Sequence, residues 1–178
     1  RLLDFLRAHP RVTALTGAGI SASSGIPTYR DDQGRWLRSD PIQHQAFVSS
    51  ESSRKRYWGR SAAGWPAVQR ARPNEAHRAL ARLEAIGTVS TVITQNVDRL
   101  HQRAGSSDVI DLHGRLDRVV CLDCGAGLDR EALQQRLLYE GLMDSVAMIY
   151  PVDEPLSHAA RSNATSRLQM HQDLAEIN

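Results

Sequence analysis

The side chains best suited to chemistry fall at four places. His113 precedes Gly114, and an imidazole, with an unperturbed pKa of roughly 6.5, suits a general base near neutral pH. Upstream, Gln95, Asn96 and Asp98 sit in TQNVD, where amides and a carboxylate can hold a carboxamide or ribose hydroxyls. Nearer the start, GAGISASSGIP places Gly17, Gly19 and Ala22 in the pattern GxGxxA. In a dinucleotide fingerprint the first glycine turns tightly, the second lets backbone approach a pyrophosphate, and the third small residue lets a helix pack on its strand. Cys121 and Cys124, in CLDC, are spaced for metal or redox chemistry in a reducing compartment.

Each group needs an element to hold it. Val12 to Thr16 read as a buried parallel strand, a short apolar run ended by glycine and not patterned for one wet face. Val89 to Thr94 make a second strand, and Val109, Ile110, Asp111 and Leu112 a third that carries His113 at its end. Functional groups of open α/β sheets gather at the carboxyl ends of strands, so neighbouring strands would bring the glycine loop, TQNVD and HG together. Residues 1–9 form a short helix in which Leu2, Leu3, Phe5 and Leu6 bury one face before Pro10 stops it. GIPTYRDDQGRW, with Pro27, Asp31, Asp32 and Gly34, reads as a loop over a pocket. Residues 41–70 spell two amphipathic helices, whose Trp58 and Trp65 are read as core rather than substrate contacts. Asn74 caps a helix with Ala76, Ala79, Leu80, Leu83 and Ile86 on one face and Gly87 at its end. A short helix through Leu100 ends at Gly105.

A chain of 178 residues has room for one ordinary domain. With 22 basic and 20 acidic side chains and a net charge of +2, it has no basic face of a nucleic-acid binder. Arg54, Lys55 and Arg56 read as a solvated helix face. No apolar stretch approaches membrane length, and no targeting segment is visible. The chain starts at Arg1 without methionine, so an upstream segment is expected. These features fit a cytoplasmic protein if bacterial and a mitochondrial one if eukaryotic. A simple dehydrogenase reading is demoted, because the acid expected about 20 residues after the fingerprint has only Asp40, in the turn-like SDPIQ.

GAGIS, GIPTYRD, TQNVDRLH and the HG after a strand occur in the order and approximate spacing of the sirtuins, NAD-dependent protein deacylases. The chain resembles that family over residues 1 to about 138, and PIQHQAFV, RYWGRSAAGWP and RPNEAH are most similar to its class II branch. The resemblance implies an α/β fold with an incomplete Rossmann-like parallel sheet. The NAD-binding part spans 1–120 with a helical insertion at about 36–72, a partial zinc-ribbon module spans 121–138, and a divergent tail spans 139–178. It also implies that Gly17, Ala18, Gly19, Ile20 and Thr28 contact NAD, that Arg30 approaches its phosphates and that Tyr29 shields the nicotinamide side. Gln95 would bond the ribose, Asn96 would position ribose or water, Asp98 would hold the carboxamide, and His113 would be the base. The implied substrate is an acylated lysine of a protein, its acyl group passing to ADP-ribose as nicotinamide leaves. Read from the residues alone, Asn96 and Asp98 are equally placed to support the following helix, and His101 reads as structural.

A structural zinc site takes four ligands, commonly two CxxC pairs, whereas CLDCG supplies one. Cys121 and Cys124 are therefore expected to form a half-site; His158 and His171 lack knuckle spacing. Asp129 caps a helix through Leu133, Leu137 and Leu138. Residues 139–178 lack the second cysteine pair, a GTS turn and an asparagine-containing strand end that would hold the adenosine half of NAD in this family. A truncated, frameshifted or alternatively ended product is expected, with weak NAD binding and an uncovered sheet edge and apolar helix faces. The alternatives to a deacylase are an inactive remnant acting as a binding module, and ADP-ribosyl transfer by the same site.

Overall fold

The computed structural model describes residues 1–28, 30, 31, 33–35, 37, 41–139 and 149–151, the last three and Tyr139 by backbone alone. In chain order the elements are α1 (Leu2–Ala8), β1 (Val12–Thr16), α2 (Ala18–Ser21) with a 3-10 turn (Ala22–Ser24), α3 (His44–Ser49) and α4 (Glu51–Arg70). There follow α5 (Glu75–Ala85), β2 (Val89–Thr94), α6 (Leu100–Ala104), β3 (Val109–Asp111), β4 (Arg118–Cys121), β5 (Gly127–Asp129), α7 (Arg130–Tyr139) and β6 (Ile149–Pro151).

β1, β2 and β3 form a parallel sheet in that order. Its register sets Ala14, Val92 and Val109 in one row and Leu15, Ile93 and Ile110 in the next. Successive residues of a strand point to opposite faces, so the two rows have different fates. The first lies under α5 and α6, and Val92 is fully buried. The second faces outward, with Leu15 69% and Ile110 48% exposed. The expectation that β1 is buried on both faces is thus corrected: among the described residues, helices cover one face only. α1 also departs from expectation, since Leu2, Leu3 and Phe5 are all exposed.

α5 is held at both ends. Asn74 Oδ1 accepts the Ala76 and His77 N–H groups, at 2.9 and 3.4 Å, and His77 Nδ1 accepts the Asn74 N–H at 3.4 Å, completing a capping box. At the other end Gly87, at φ 78°, turns the chain. Ile86 is exposed, and His77 takes the most buried position on the helix.

The second sheet is antiparallel in the order β5-β4-β6. Its β4 packs with α3, α4 and α7 around one core of Phe47, Trp58, Val119, Leu122, Leu133 and Leu137. The helical insertion and the cysteine segment therefore share their interior. Asp129 Oδ1 accepts the Glu131 and Ala132 N–H groups at the start of α7, while Leu138 points outward. Arg130 is buried with its guanidinium 5.4 Å from the Trp58 ring centre and 4.9 Å from that of Trp65, and burial pushes its pKa down to about 10. Pro66 lies inside α4, where it has no N–H to give the carbonyl four residues back. That carbonyl, Ala62 O, accepts the side-chain Nε2 of buried Gln134 at 3.0 Å.

Candidate active site

The carboxyl ends of all three parallel strands open onto one cavity of ≈ 710 Å³. Ala18 and Gly19 from the glycine loop, Thr28 and Arg30 from the segment after it, Gln95, Asn96 and Asp98 after β2, and His113 after β3 all line it. Gly17 and Ile20 stand behind this wall and contribute backbone carbonyls to its support. Tyr29 lies outside the described residues.

The polar groups are tied to one another. Asn96 Nδ2 donates to Gly17 O at 3.0 Å and to Ser21 Oγ at 3.1 Å, so its amide orientation is fixed by a carbonyl that can only accept. Ser21 Oγ donates to Asp98 Oδ2 at 2.7 Å, and Asp98 Oδ1 accepts the Leu100 N–H at 2.9 Å. Asp98 thus both supports α6 and faces the cavity, where the residues alone had left these roles as rivals. Between them Arg99 adopts φ 63°, the one non-glycine residue with positive φ among those described, a conformation that persists only when the surroundings over-determine it. Its guanidinium pairs with Asp111 and lies 3.8 Å from Asp117. His113 is exposed, and its Nδ1 lies 3.2 Å from Gln95 O. A carbonyl accepts, so Nδ1 carries the proton and Nε2 keeps a lone pair.

Sequence reasoning missed several wall residues. Ser21 stands within GAGIS but was not singled out; its burial between Asn96 and Asp98 needs two distant segments to meet. Pro41, Val68, Val97 and Leu116 add apolar lining to that of Ile26 and Pro27, which lie in the loop read as covering a pocket, and Val68 comes from α4, which no spacing rule connects to the sheet.

A family profile described as the Sir2 family matches residues 17–150. The chain belongs to the Sir2 family. The match runs past residue 138, where the motif resemblance stops, and reaches into β6. Among its relatives, "NAD-dependent protein deacetylase 2" of Bradyrhizobium diazoefficiens is 57% identical over 136 residues, covering 76% of this chain and 50% of the relative. An "NAD-dependent protein deacetylase" of Xanthomonas axonopodis pv. citri is 55% identical over 133 residues, covering 75% and 45%. The chain therefore spans about half the length of the curated relatives it matches. Of solved structures, a Sir2 homologue–NAD complex superposes with TM-score 0.61 at 44% identity, covering 72% of this chain and 50% of that one. A complex described as "Sir2-p53 peptide-NAD+" gives TM-score 0.69 at 34% identity, covering 89% and 66%. The fold is thus the Rossmann-like α/β fold of Sir2 proteins.

The amides, carboxylate and imidazole lining the Sir2 cavity are donors and acceptors of the kind that ribose hydroxyls and a carboxamide would need. A Cβ built on Gly19 meets nothing within 4 Å and would project into open space, the close approach that a bound pyrophosphate requires. The cysteines fit zinc less well. Cys121 is buried, Cys124 is exposed, and Gly125, at φ 76°, closes the turn by donating its N–H to Cys121 O at 2.8 Å. Burial pushes the Cys121 thiol above its ordinary value. Among the described residues no group of three His, Cys, Asp or Glu side chains is placed to hold a metal, so these residues offer two of the four ligands that a structural zinc needs. His158 and His171 lie outside the described residues. No helix among the described residues is long and apolar enough to cross a membrane.

Proposed function

We propose that this Sir2 chain acts as an NAD-dependent protein-lysine deacylase. When bound, NAD would supply the sugar carbon that gives up nicotinamide and the ribose hydroxyl that takes the acyl group of a modified lysine. The carrying observation is the convergence of Asn96, Asp98 and His113 on one cavity with their hydrogen-bonding valences already sorted. Asp98 accepts one bond at each oxygen and retains lone pairs for carboxamide N–H donors. Asn96 has spent both amide hydrogens, so its Oδ1 is left to accept from a ribose hydroxyl or a water. Gln95 brings a further amide to the cavity wall, where it would bond the ribose. Arg30 gives one donor to Gly34 O at 3.0 Å and lines the cavity, where its guanidinium would meet the phosphates. His113 removes a hydroxyl proton at Nε2 and returns it to solvent from the exposed rim. Ile26, Val68, Val97 and Leu116 keep water from the reacting groups.

The substrate is an acylated lysine side chain on a protein, and the bacterial relatives together with two free cysteines favour a cytoplasmic site of action. The test is incubation with NAD and an acetyl-lysine peptide. Nicotinamide release with matching peptide deacetylation is expected, and His113→Ala lowers the rate by about 10² to 10⁴ without altering the far-UV spectrum. A wild-type chain that releases no nicotinamide overturns the reading. Peptide that gains ADP-ribose instead of losing acetyl replaces it with ADP-ribosyl transfer.

A further inference from the structure

Two histidines that the chemistry does not use lie directly beneath the glycine loop. His77 on α5 and His101 on α6 are 0% and 1% exposed, and their ring centres are 4.8 Å apart. Each is one step from the loop. His101 Nε2 lies 2.9 Å from Thr16 Oγ1, on the last residue of β1 before Gly17. His77 Nδ1 accepts the Asn74 N–H, and Asn74 Nδ2 in turn donates to Ile20 O at 2.7 Å and to Ser24 Oγ at 3.0 Å. One histidine therefore holds the residue that enters the loop, and the other holds the residue that straps its far end.

We propose that His77 and His101 are positioning residues that hold the glycine loop in its binding geometry only while both imidazoles are neutral. Protonating His77 places a hydrogen on Nδ1, opposite the Asn74 N–H, and turns the capping-box bond into a clash of two donors. A second positive charge on His101, in ring contact, adds repulsion. The remaining ring nitrogens, His77 Nε2 and His101 Nδ1, are buried without hydrogen-bond partners among the described residues, so none of these compensates a charge there by direct contact. The charged groups facing the pair are Asp98 and Arg78 for His77, and Asp98 and Asp111 for His101. Asp98 is engaged by Ser21 and Leu100, and Asp111 by Arg99 and Gln102. Burial is the largest influence on both rings and holds them below the ordinary 6.5. A depressed folded pKa gives a contribution that is fully present above 6.5 and lost as pH falls through the lower folded value.

The consequence for cofactor affinity rests on the proposed reading of the loop, but the test does not. Amide hydrogen exchange of Ala18 to Ser24, expressed as protection factors and referred to β2 in the same sample, is followed between about pH 7.5 and pH 5. In parallel, imidazole resonances report each histidine's titration. Protection of the loop is expected to fall about tenfold relative to β2, with a midpoint matching His77 or His101. His77→Asn with His101→Gln keeps an acceptor near each bonded nitrogen but cannot titrate, and it is expected to flatten the profile. A fall that tracks only His113 or the carboxylates, a fall that persists in the double variant, or no fall at all overturns the proposal. NAD that binds equally well at both ends of the pH range, with a pH-insensitive loop, removes this device and leaves the cofactor reading standing.

Discussion

At the scale of the residue, Gly19 and Gly25 separate two uses of glycine in one loop. Gly25 sits at φ 83° with open space where a Cβ would go, so only backbone strain opposes a side chain there. Gly25→Ala should lower stability by about 1–2 kcal/mol, read as an earlier thermal transition. Gly19 lies inside α2 on the cavity wall, with open space where a Cβ would go. Gly19→Ala should leave the melting temperature unchanged or slightly raised, because alanine favours helix by about 0.5–1 kcal/mol. It should weaken NAD binding about tenfold by filling the approach to the pyrophosphate. Calorimetric titration of both variants checks the contrast, and equal losses of affinity would refute the division of roles. GxGxxA was legible as a motif, but its spacing could not show that Gly25 carries the conformational demand; that needed the backbone angle.

At the scale of the element, α5 does more than cover the sheet. Its cap residue Asn74 uses Oδ1 for its own helix and Nδ2 for Ile20 and Ser24 across the glycine loop. Asn74→Ala removes a cap worth about 1 kcal/mol and two cross-links of about the same size together. A loss near 2 kcal/mol by urea unfolding is expected, accompanied by weaker NAD binding; lost stability with unchanged binding would mean the strap does not serve the site. The cap itself was legible in PNEAH, since Asn before an apolar helical face is a start signal. The strap was not, because Ile20 and Ser24 lie 54 and 50 residues away in sequence. Gln134 shows the same limit: nothing in α7 announces that its amide completes the carbonyl freed by Pro66.

At the scale of the whole molecule, the helical insertion and the cysteine segment stand or fall together because Trp58 joins them. Trp58→Ala should cost about 3–5 kcal/mol and should release α4, β4 and α7 in one step. Hydrogen exchange would show protection lost across these elements while β2 stays protected; loss confined to α4 would refute a shared core. On the face away from α5, the parallel sheet carries a row of exposed Leu15, half-buried Ile93 and exposed Ile110 that no helix covers among the described residues. Apolar side chains alone cannot tell a strand buried on both faces from one buried on one, since the run VTALT is equally compatible with either.

The sequence determined the three parallel strands, the loop and strand-end residues able to meet a nucleotide, the Asn74 cap and the family, because these depend on local patterns and on motifs held in order. Tertiary structure decided which atoms of those residues are spent and which remain: Asn96 Oδ1, the lone pairs of Asp98 and Nε2 of His113. It also decided that Ser21, Val68 and the buried histidines belong with them. Such valences are set by partners brought together from distant segments by packing, and no reading along one chain direction supplies that third dimension.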